Sequence, residues 1–470
     1  MTTEPQARGL SQFAARNPTK TKQDEYAGDN DFELKHILIK SASGGEVDVS
    51  DLFVNMSIFE DLFSNTVSAI ISFVDMNDIC QHLPIIGQQE KMEVVFGIPG
   101  DNSGPIKFEF DIFRISVKSI STVSKKQAIT CHAVSTQQFK NIHTRISKSY
   151  YNTVSGMIKK IFNESFSGDG AGIGKQHKLK VEAKTDSEKR KFIIPNWHPL
   201  DAIGWLVDRA VPEENSEACN YIFYQDRNGF HLTTLEKLIS ATPPVQEYYY
   251  MPRRFRESQH GKFRDPGYEM RNIHRIIFQE PGNRLEENLK GMYGAKILTH
   301  DIVRKKYEYT TNTLNKNFKK TKHAEAEYPI AKAIDTFSTN PDTFWNFCPI
   351  QKTLNMENNL HGGNTVEQNE KYSEWFLKRK SLMRQVGTNI ITITVAGDSR
   401  RKPGDVVLLN FTPLQPTDGR VPNPNKYING RYLVTSIKHR LTQEGYLMDM
   451  ELSKDSNQEA YPSTSNFLKD

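Results

Sequence analysis

Hydrophobic and polar residues alternate in several segments between Phe32 and Val134. Gly, Pro, Asp and Ser clusters separate six segments with this pattern: FELKHILIK, EVDVSDLFV, VSAIISFVDM, KMEVVFGI, IKFEFDIFRISVKSI and KQAITCHAV. A period of two places successive side chains on opposite faces of a strand, so these segments predict antiparallel strands. So many strands within about a hundred residues favour a small barrel or sandwich.

The fifth of these segments contains a change of phase. Apolar residues alternate from Ile106 to Ile112, and the apolar set then moves to Phe113, Ile115 and Val117. Because a slip of one residue moves side chains to the other face of a sheet, we expect a bulge or sharp bend near Ile112.

The apolar spacing changes to three and four after residue 136, which is typical of amphipathic helices. Two helices are predicted, one through Phe139, Ile142 and Ile146 and one from Val154 to Phe162. A third begins at Pro199, and a fourth covers residues 369–386. The segment GDGAGIG at 168–174 predicts a surface loop, and NYIFYQDRNGFHLTTL predicts a hairpin that turns at Asn228 and Gly229.

The carboxyl-terminal part is again rich in predicted strands. NIITITVAG and PGDVVLLNF precede a long hairpin, GRYLVTSIKHRL and YLMDMELS, that turns at Gln443 to Gly445, and a Pro-rich loop covers 412–429. Tyr446, Met448 and Met450 alternate with polar residues. One face of this hairpin is therefore predicted to be buried and the other to face water or a partner.

Charge and cysteine usage limit the partners and the cellular compartment that we expect for the chain. The formal charge of the chain is +5, but residues 251–323 contain 17 basic and 8 acidic residues, so the basic character is regional and indicates one surface or partner. The four cysteines lie far apart without metal-ligand spacing and are predicted to be reduced and buried. The polar start predicts no secretory signal, and the apolar stretch from Val67 to Val74 is too short to span a bilayer.

The segments that come nearest to known catalytic or cofactor-binding motifs lack the residues or the spacing that those motifs require. The segment GDGAGIGK has Asp169 and Gln176 where a phosphate loop requires Gly and Ser or Thr. The acidic pairs Glu60/Asp61 and Glu286/Glu287 are adjacent in sequence, whereas glycoside hydrolysis requires two carboxylates facing each other across a cleft. We therefore predict no catalytic residue, no cofactor and no metal site.

One basic stretch, RKKYEYTTNTLNKNFKKTKH at 304–323, leaves three interpretations open. Aromatic residues between lysines fit the stacking of single-stranded nucleic acid, an acidic protein partner is a second possibility, and a plain solvated surface is the third.

The run DLFVNMSIFEDLFSNTVSAIISFVDMNDICQHLPIIGQQEKMEVVF resembles the first tube-like domain of the baseplate central hub proteins of contractile-tailed bacteriophages. The matching positions are Glu60, Asp61, Leu62, Phe63, Ser64, Asn65, Asp75, Leu83, Pro84, Ile85, Gly87 and Glu90. Three further segments match in the same order: DAIGWLVDRA with YIFYQDRNGF, NLKGMYGAKILTHDIVRKKYEY, and TITVAGDSRRKPGDVVLL with the final hairpin.

The resemblance implies a β-rich α+β fold with two tail-tube-type antiparallel β-barrel domains, the second discontinuous, plus helical and mixed insertion domains. The implied organisation is a flexible arm (1–30), a first barrel (31–135), a helical connector (136–196), a second, split barrel (197–240 with 387–455), a basic insertion ending in a helix (241–386) and a tail (456–470).

The resemblance also implies a non-enzymatic role in the tail baseplate of a virion assembled in the host cytoplasm. Three copies would form a ring that adapts a threefold central spike to a sixfold tail tube and encloses a lumen for DNA, without specific DNA binding. Implied partners are the spike, tube or tube-initiator proteins, neighbouring baseplate proteins and the tape measure protein. A tail-associated cell-wall hydrolase and a nucleic-acid-binding tail component are the alternatives, and a phage-derived secretion machine is an alternative setting.

Edge strands that require partners point to candidate interface residues for this assembly. They are Ile58, Phe59, Glu60, Asp61, Leu62, Phe63, Arg304, Lys305, Lys306, Tyr446, Met448 and Met450.

Overall fold

Thirteen strands join in one large sheet in the computed structural model of the chain. The structure describes residues 31–41, 44–75, 90–99, 104–120, 127–166, 178–241, 243–250, 270–279, 283–301, 305–325, 328–329, 342, 345–350, 372–411 and 427–457. The predicted arm, the 168–174 loop and most of both the Pro-rich loop and the tail lie outside these ranges.

Seven strands form the first strand group, one more than the alternating segments predict, because residues 55–61 between the second and third segments also lie in a strand. They are β1 (Glu33–Lys40), β2 (Glu46–Asp48), β3 (Phe53–Asp61), β4 (Ser68–Asp75), β5 (Lys91–Gly97), β6 (Ile106–Ile120) and β7 (Gln127–Val134), with a 3-10 turn at Ser50–Leu52. Every pairing between them is antiparallel. The β6–β7 register shifts between Ile112 and Arg114, which confirms the predicted bulge.

A layer of helices and short strands follows the first strand group. It comprises α1 (Thr136–His143), β8 (Ile146–Asn152), α2 (Val154–Phe166), β9 (Leu179–Val181), β10 (Arg190–Trp197), α3 (Pro199–Asp208), β11 (Tyr221–Asp226), β12 (Gly229–Thr234) and α4 (Leu235–Ile239). The prediction was wrong at Ile146, which begins β8 and does not extend α1. In β8 Ile146 pairs with Trp197 of β10, and Ile142 is exposed.

The described residues of the next region, between the layer and the carboxyl-terminal strands, form nine helices and strands. They are β13 (Gln246–Tyr250), β14 (Arg275–Phe278), α5 (Arg284–Leu289), β15 (Gly294–Asp301), β16 (Lys306–Thr313), α6 (Leu314–Asn317), β17 (Tyr328–Pro329), β18 (Trp345–Ile350) and α7 (Tyr372–Gln385), with a 3-10 turn at Phe318–Lys320. Asn283 caps α5 by accepting from the Leu285 N–H at 3.0 Å.

The last strands are β19 (Ile390–Ala396), β20 (Val406–Phe411), β21 (Gly430–Thr442), β22 (Gly445–Ser453) and β23 (Ser456–Asn457). The second strand group consists of β13, β14 and β19 to β22. Two of its members, β13 and β14, fall in the predicted insertion, but they pair with β20 and β19. The strands of the insertion that stay outside the large sheet are β15 to β18.

The hairpin β11–β12 corrects one predicted grouping. It was expected to join the strands of 387–455, but its hydrogen-bonded neighbour is β9, in a separate three-stranded sheet. All twelve of its strand residues are buried because both faces are covered. Phe230 packs on Phe162 of α2 with ring centroids 4.9 Å apart, and Tyr224 on the opposite face shares a core cluster with Leu433 of β21.

A single hydrophobic core runs through both strand groups. Phe96 of β5 meets Tyr446 of β22 edge to face, with ring centroids 5.6 Å apart, and Ile58 and Ile437 belong to the same cluster. The β-rich, mainly antiparallel fold is confirmed, and closure of each group into a barrel stays a prediction.

Candidate functional site: the junction of the two strand groups

The two strand groups meet where β3 pairs antiparallel with β21. The ladder runs from Ser436 opposite Asp61 to Thr442 opposite Asn55. Both strands also pair on their other sides, β3 with β4 and β21 with β22. The strand β3, which carries Glu60 and Asp61 of the family resemblance, therefore lies in the middle of the large sheet and not at its edge.

A buried polar network fixes this junction. His439 Nε2 lies 2.9 Å from Glu60 Oε2, and the Tyr446 hydroxyl lies 2.7 Å from His439 Nδ1. Complete burial raises the pKa of Tyr446 well above its usual value, so the hydroxyl keeps its proton and donates it to Nδ1. The Nε2–H of His439 then donates to the carboxylate. All three side chains are 0% exposed, which excludes a substrate and makes this a structural network.

The hairpin turn between β11 and β12 completes the network. The Arg227 N–H donates to Glu60 Oε1 at 2.8 Å, and the Arg227 guanidinium donates to the Ser399 carbonyl. Glu60, a residue of β3, thus links this strand to both β21 and the hairpin turn. The turn consists of Arg227 and Asn228, one residue earlier than predicted, because Asp226 pairs with Gly229.

Most of the predicted interface residues around β3 are core residues. Ile58, Glu60, Leu62, Tyr446, Met448 and Met450 are all fully buried within the chain. The expectation that they contact partners directly was wrong because the alternating set of each strand faces the shared core. Three others stay candidates: Phe59 and Asp61 are partly exposed, and Phe63 is 51% exposed.

The basic candidates lie far along the chain, beside β16. Lys305 is exposed at the turn before this strand, Lys306 is its first residue, and Arg304 lies outside the described residues.

The acidic pairs considered for hydrolysis do not flank a cleft. Glu60 is in the core, while Asp61 accepts from the Phe63 N–H at 2.7 Å on the outer side of β3. Burial, with the nearby Glu451 charge, raises the pKa of Asp61. Glu286 pairs with Lys290, and Glu287 lies 2.9 Å from Arg384 of α7.

Two further histidines join distant segments, and sequence reasoning missed both. His231 of β12 lies between Asp226 Oδ1, 2.9 Å from Nε2, and Glu182 Oε1, 3.1 Å from Nδ1. Burial opposes the charge on this ring, but the two carboxylates outweigh burial and raise the pKa of His231 to about 9. The imidazolium therefore links the β11–β12 hairpin to the segment after β9.

His323 joins the insertion to Asp455, which follows β22. Its Nδ1 lies 2.7 Å from Asp455 Oδ2, and its Nε2 lies 2.7 Å from the Phe318 carbonyl oxygen. Burial opposes protonation, yet Asp455 raises the pKa of His323 above its usual value. The Ala324 N–H also donates to Asp455 Oδ1 at 3.0 Å. Asp455 therefore holds residues 323 and 324 of the insertion through both of its carboxylate oxygens.

One signal in the sequence could have identified the central network. His439 stands between Ile437 and Leu441 on the buried face of β21, and a polar residue in such a stripe requires a buried partner. Nothing local to His231 or His323 identifies their partners.

In the residues that the structure describes, no group of three or more His, Cys, Asp or Glu side chains is arranged to hold a metal ion. Cys131 and Cys219 are buried and belong to no disulfide, as predicted for them. No helix in the described ranges is long and apolar enough to cross a membrane.

Comparison with known proteins identifies relatives in phage tails. No model of a protein family matches the chain. It is 24% identical over 308 residues to the probable baseplate hub protein gp334 of Vibrio phage KVP40. The matched region is 65% of this chain and 66% of the relative, just under two thirds of its length.

Solved structures of tail proteins are similar in fold. A tail protein from Neisseria meningitidis MC58 gives a TM-score of 0.50 at 11% identity, with 92% of this chain and 100% of that chain covered. The 43 kDa tail protein of prophage MuSo2 from Shewanella oneidensis gives 0.48 at 10% identity, covering 89% and 98%. The predicted resemblance to phage baseplate hub proteins is therefore confirmed, in sequence by the Vibrio phage protein and in fold by the Neisseria tail protein.

Proposed function

We propose that this chain is the structural hub of a phage tail baseplate. In this proposal three copies form a ring, and each contributes two strand groups. Six groups around the ring would present a sixfold surface to the tail tube while the trimer keeps threefold symmetry for the central spike. The observation that carries the proposal is the β3–β21 ladder, which fuses two strand groups into one sheet in a chain similar to a baseplate hub protein.

The proposed role is mechanical and requires no cofactor or catalytic residue. The ring would seat the spike, contact tube or tube-initiator proteins, neighbouring baseplate proteins and the tape measure protein, and let DNA pass through its lumen without specific binding. The buried network at Glu60 supports this role because it holds β3, β21 and the hairpin turn in one fixed arrangement.

The two ends of the large sheet are the contact surfaces that we favour for ring formation. β14 lies at one end of the strand order and β2 at the other. β14 exposes Ile277 (41%) and Phe278 (48%) beside Arg275, whereas β2 exposes Glu46 and Asp48. Glu46 is already paired with Lys40 at 3.0 Å, so Asp48 is the β2 carboxylate that could meet Arg275 of a second copy. Such head-to-tail contacts close into a ring when the rotation permits.

The oligomeric mass tests this proposal. Mass photometry and sedimentation of the purified full chain should give a trimer, alone or with the spike protein. Ile277→Asp places a charge on the proposed contact and should shift the distribution to monomer. Ile193→Asp makes the same change at a residue that is 66% exposed on β10, outside the large sheet, and should leave the trimer intact.

A wild-type chain that stays monomeric in both conditions would contradict the ring. A trimer that survives Ile277→Asp as well as Ile193→Asp would retain the ring but exclude the β14 contact.

A further inference from the structure

The insertion exposes an aromatic strand at the border of its own small sheet. The strand order of this sheet is β16–β15–β18, with β16 outermost. One face is covered by α7, where Leu377 packs on the buried Ala295 and Ile297 of β15. The other face presents Tyr307 (68% exposed) and Tyr309 (48% exposed), two residues apart on β16.

Exposed lysines stand at both ends of this strand. Lys305 precedes it, and four lysines follow it: Lys316, Lys319, Lys320 and Lys322. In the described part of the chain none of the five forms an ion pair with a carboxylate, whereas Lys296 on β15 is paired with Asp342 at 3.1 Å. The surface formed by β16 and these five lysines, called here the β16 surface, therefore carries a net positive charge, with Glu308 as the exposed carboxylate on the strand itself.

The spacing of the charges matches an extended chain. The eight residues of β16 span roughly 26 Å at about 3.3 Å per residue. Tyr307 and Tyr309 are the second and fourth residues of β16, close to Lys305, and the group of four lysines begins three residues after the end of the strand. Among the described residues no strand pairs with the outer side of β16, and an edge of this kind is where peptides add to a sheet.

We propose that the β16 surface receives an extended acidic segment of a partner protein, which adds to the sheet as a fourth strand beside β16. Carboxylates near both ends of the segment would pair with the lysines, and its apolar side chains would rest on Tyr307 and Tyr309. The proposal goes beyond the hub function, because it assigns a partner chemistry to the insertion whether or not the chain forms a ring.

The ring geometry favours a peptide over a single-stranded nucleic acid. The planes of Tyr307 and Tyr309 are inclined at 78°, with centroids 5.9 Å apart, whereas successive stacked bases require nearly parallel platforms. Lys296 Nζ also lies 4.7 Å from the centroid of the Tyr309 ring, over one of its faces. A strand edge offers alternating N–H and C=O groups, which a peptide backbone matches and a phosphate backbone does not.

Fluorescence anisotropy with the full chain tests the proposal. The probe is a labelled ten-residue peptide of alternating glutamate and valine. A second probe carries N-methyl groups on alternate residues, which removes backbone donors and keeps the charge, and a third is a labelled thymidine ten-mer. We expect the first peptide to bind, and the N-methylated peptide and the thymidine ten-mer to bind at least about tenfold more weakly.

Two variants and a control locate the binding surface. Lys316→Glu/Lys319→Glu/Lys320→Glu should weaken binding by about tenfold or more, since each exposed ion pair contributes about two- to threefold. Tyr307→Ala/Tyr309→Ala, which keeps the charge, should also weaken binding. The control Lys159→Glu/Lys178→Glu/Lys189→Glu changes three exposed lysines elsewhere by the same charge and should leave the affinity within about twofold of the wild type.

Circular dichroism establishes whether each variant is folded. If the charge-reversal variant is unfolded, the tyrosine variant alone tests the proposal. The proposal is overturned if the peptide does not bind, if the control weakens binding equally, or if N-methylation has no effect. Tighter binding of the thymidine ten-mer through the same residues would assign the surface to nucleic acid instead.

Discussion

Replacing Glu60 with alanine should loosen the contact between the two strand groups. The substitution leaves the His439 Nε2–H and the Arg227 N–H without their acceptor. His439 is fully buried, so its unsatisfied donor costs about 1–3 kcal/mol. Arg227 is only partly buried, so water can replace most of its bond and the added cost is nearer 1 kcal/mol. Opening of the β3–β21 ladder should therefore become easier by about 2–4 kcal/mol.

Amide hydrogen exchange measures this opening directly. The predicted free-energy change corresponds to exchange roughly 30- to 700-fold faster for the central amides of β3 and β21. Exchange in β8 and β10, which form a separate sheet, should stay unchanged. The protein concentration must be held constant, because assembly would add to the apparent stability.

Glu60→Gln is the matched control. Glutamine keeps an oxygen for the Arg227 N–H, and its amide can donate to His439 Nε2 if the ring takes its other tautomer. The Tyr446 hydroxyl proton then loses its acceptor, so we expect a cost of about 1 kcal/mol. Equal exchange rates in β3 and β21 for Glu60→Ala and the wild type would refute the role of the network, as would equal effects of alanine and glutamine.

Two further predictions concern pH and packing. The pKa of His231 is raised from 6.5 to about 9, so its stabilising effect is complete below about pH 6.5 and is lost as the pH rises through about 9. Over that pH range the thermal unfolding midpoint of the wild type should therefore fall by more than the midpoint of His231→Gln. Parallel curves of midpoint against pH for the two proteins would contradict the role assigned to His231. Gly397→Ala should destabilise the chain by about 3 kcal/mol or more, since the added Cβ would lie 2.0 Å from Tyr446 Cδ1. The control Gly204→Ala in α3, where no atom lies within 4 Å of the added Cβ, should be neutral or stabilising by up to about 1 kcal/mol. Urea unfolding followed by circular dichroism compares the two variants, and equal unfolding midpoints would contradict the predicted clash.

Strands and helices whose apolar residues recur at a regular spacing could be predicted from the sequence. Six of the seven strands of the first group, the phase change at Ile112 and the helix that begins at Pro199 follow from local spacing and turn chemistry, whereas most of β3 was not predicted. The prediction was wrong at Ile146 because its distance of four residues from Ile142 imitates a helical repeat, although only Ile146 is buried.

Pairing between distant segments could not be predicted in the same way. Alternation shows that Met448 and Met450 share a face, but it does not show whether that face meets a partner or the chain's own core. The β11–β12 hairpin was grouped with the wrong strands because a hairpin buried on both faces fits several neighbours equally well. The network of Glu60 and His439 depends on a contact between residues 379 positions apart.

That separation has a consequence for synthesis in the cell. At about 5–20 residues per second, a ribosome needs roughly 20 to 75 seconds to make the chain from Glu60 to His439. During that time one side of β3 lacks its final partner strand, and the hydrophobic core that both strand groups share stays incomplete. A chain released before residue 439 cannot finish the large sheet. We therefore expect truncated copies to lack the β3–β21 ladder and to be less stable than the full chain.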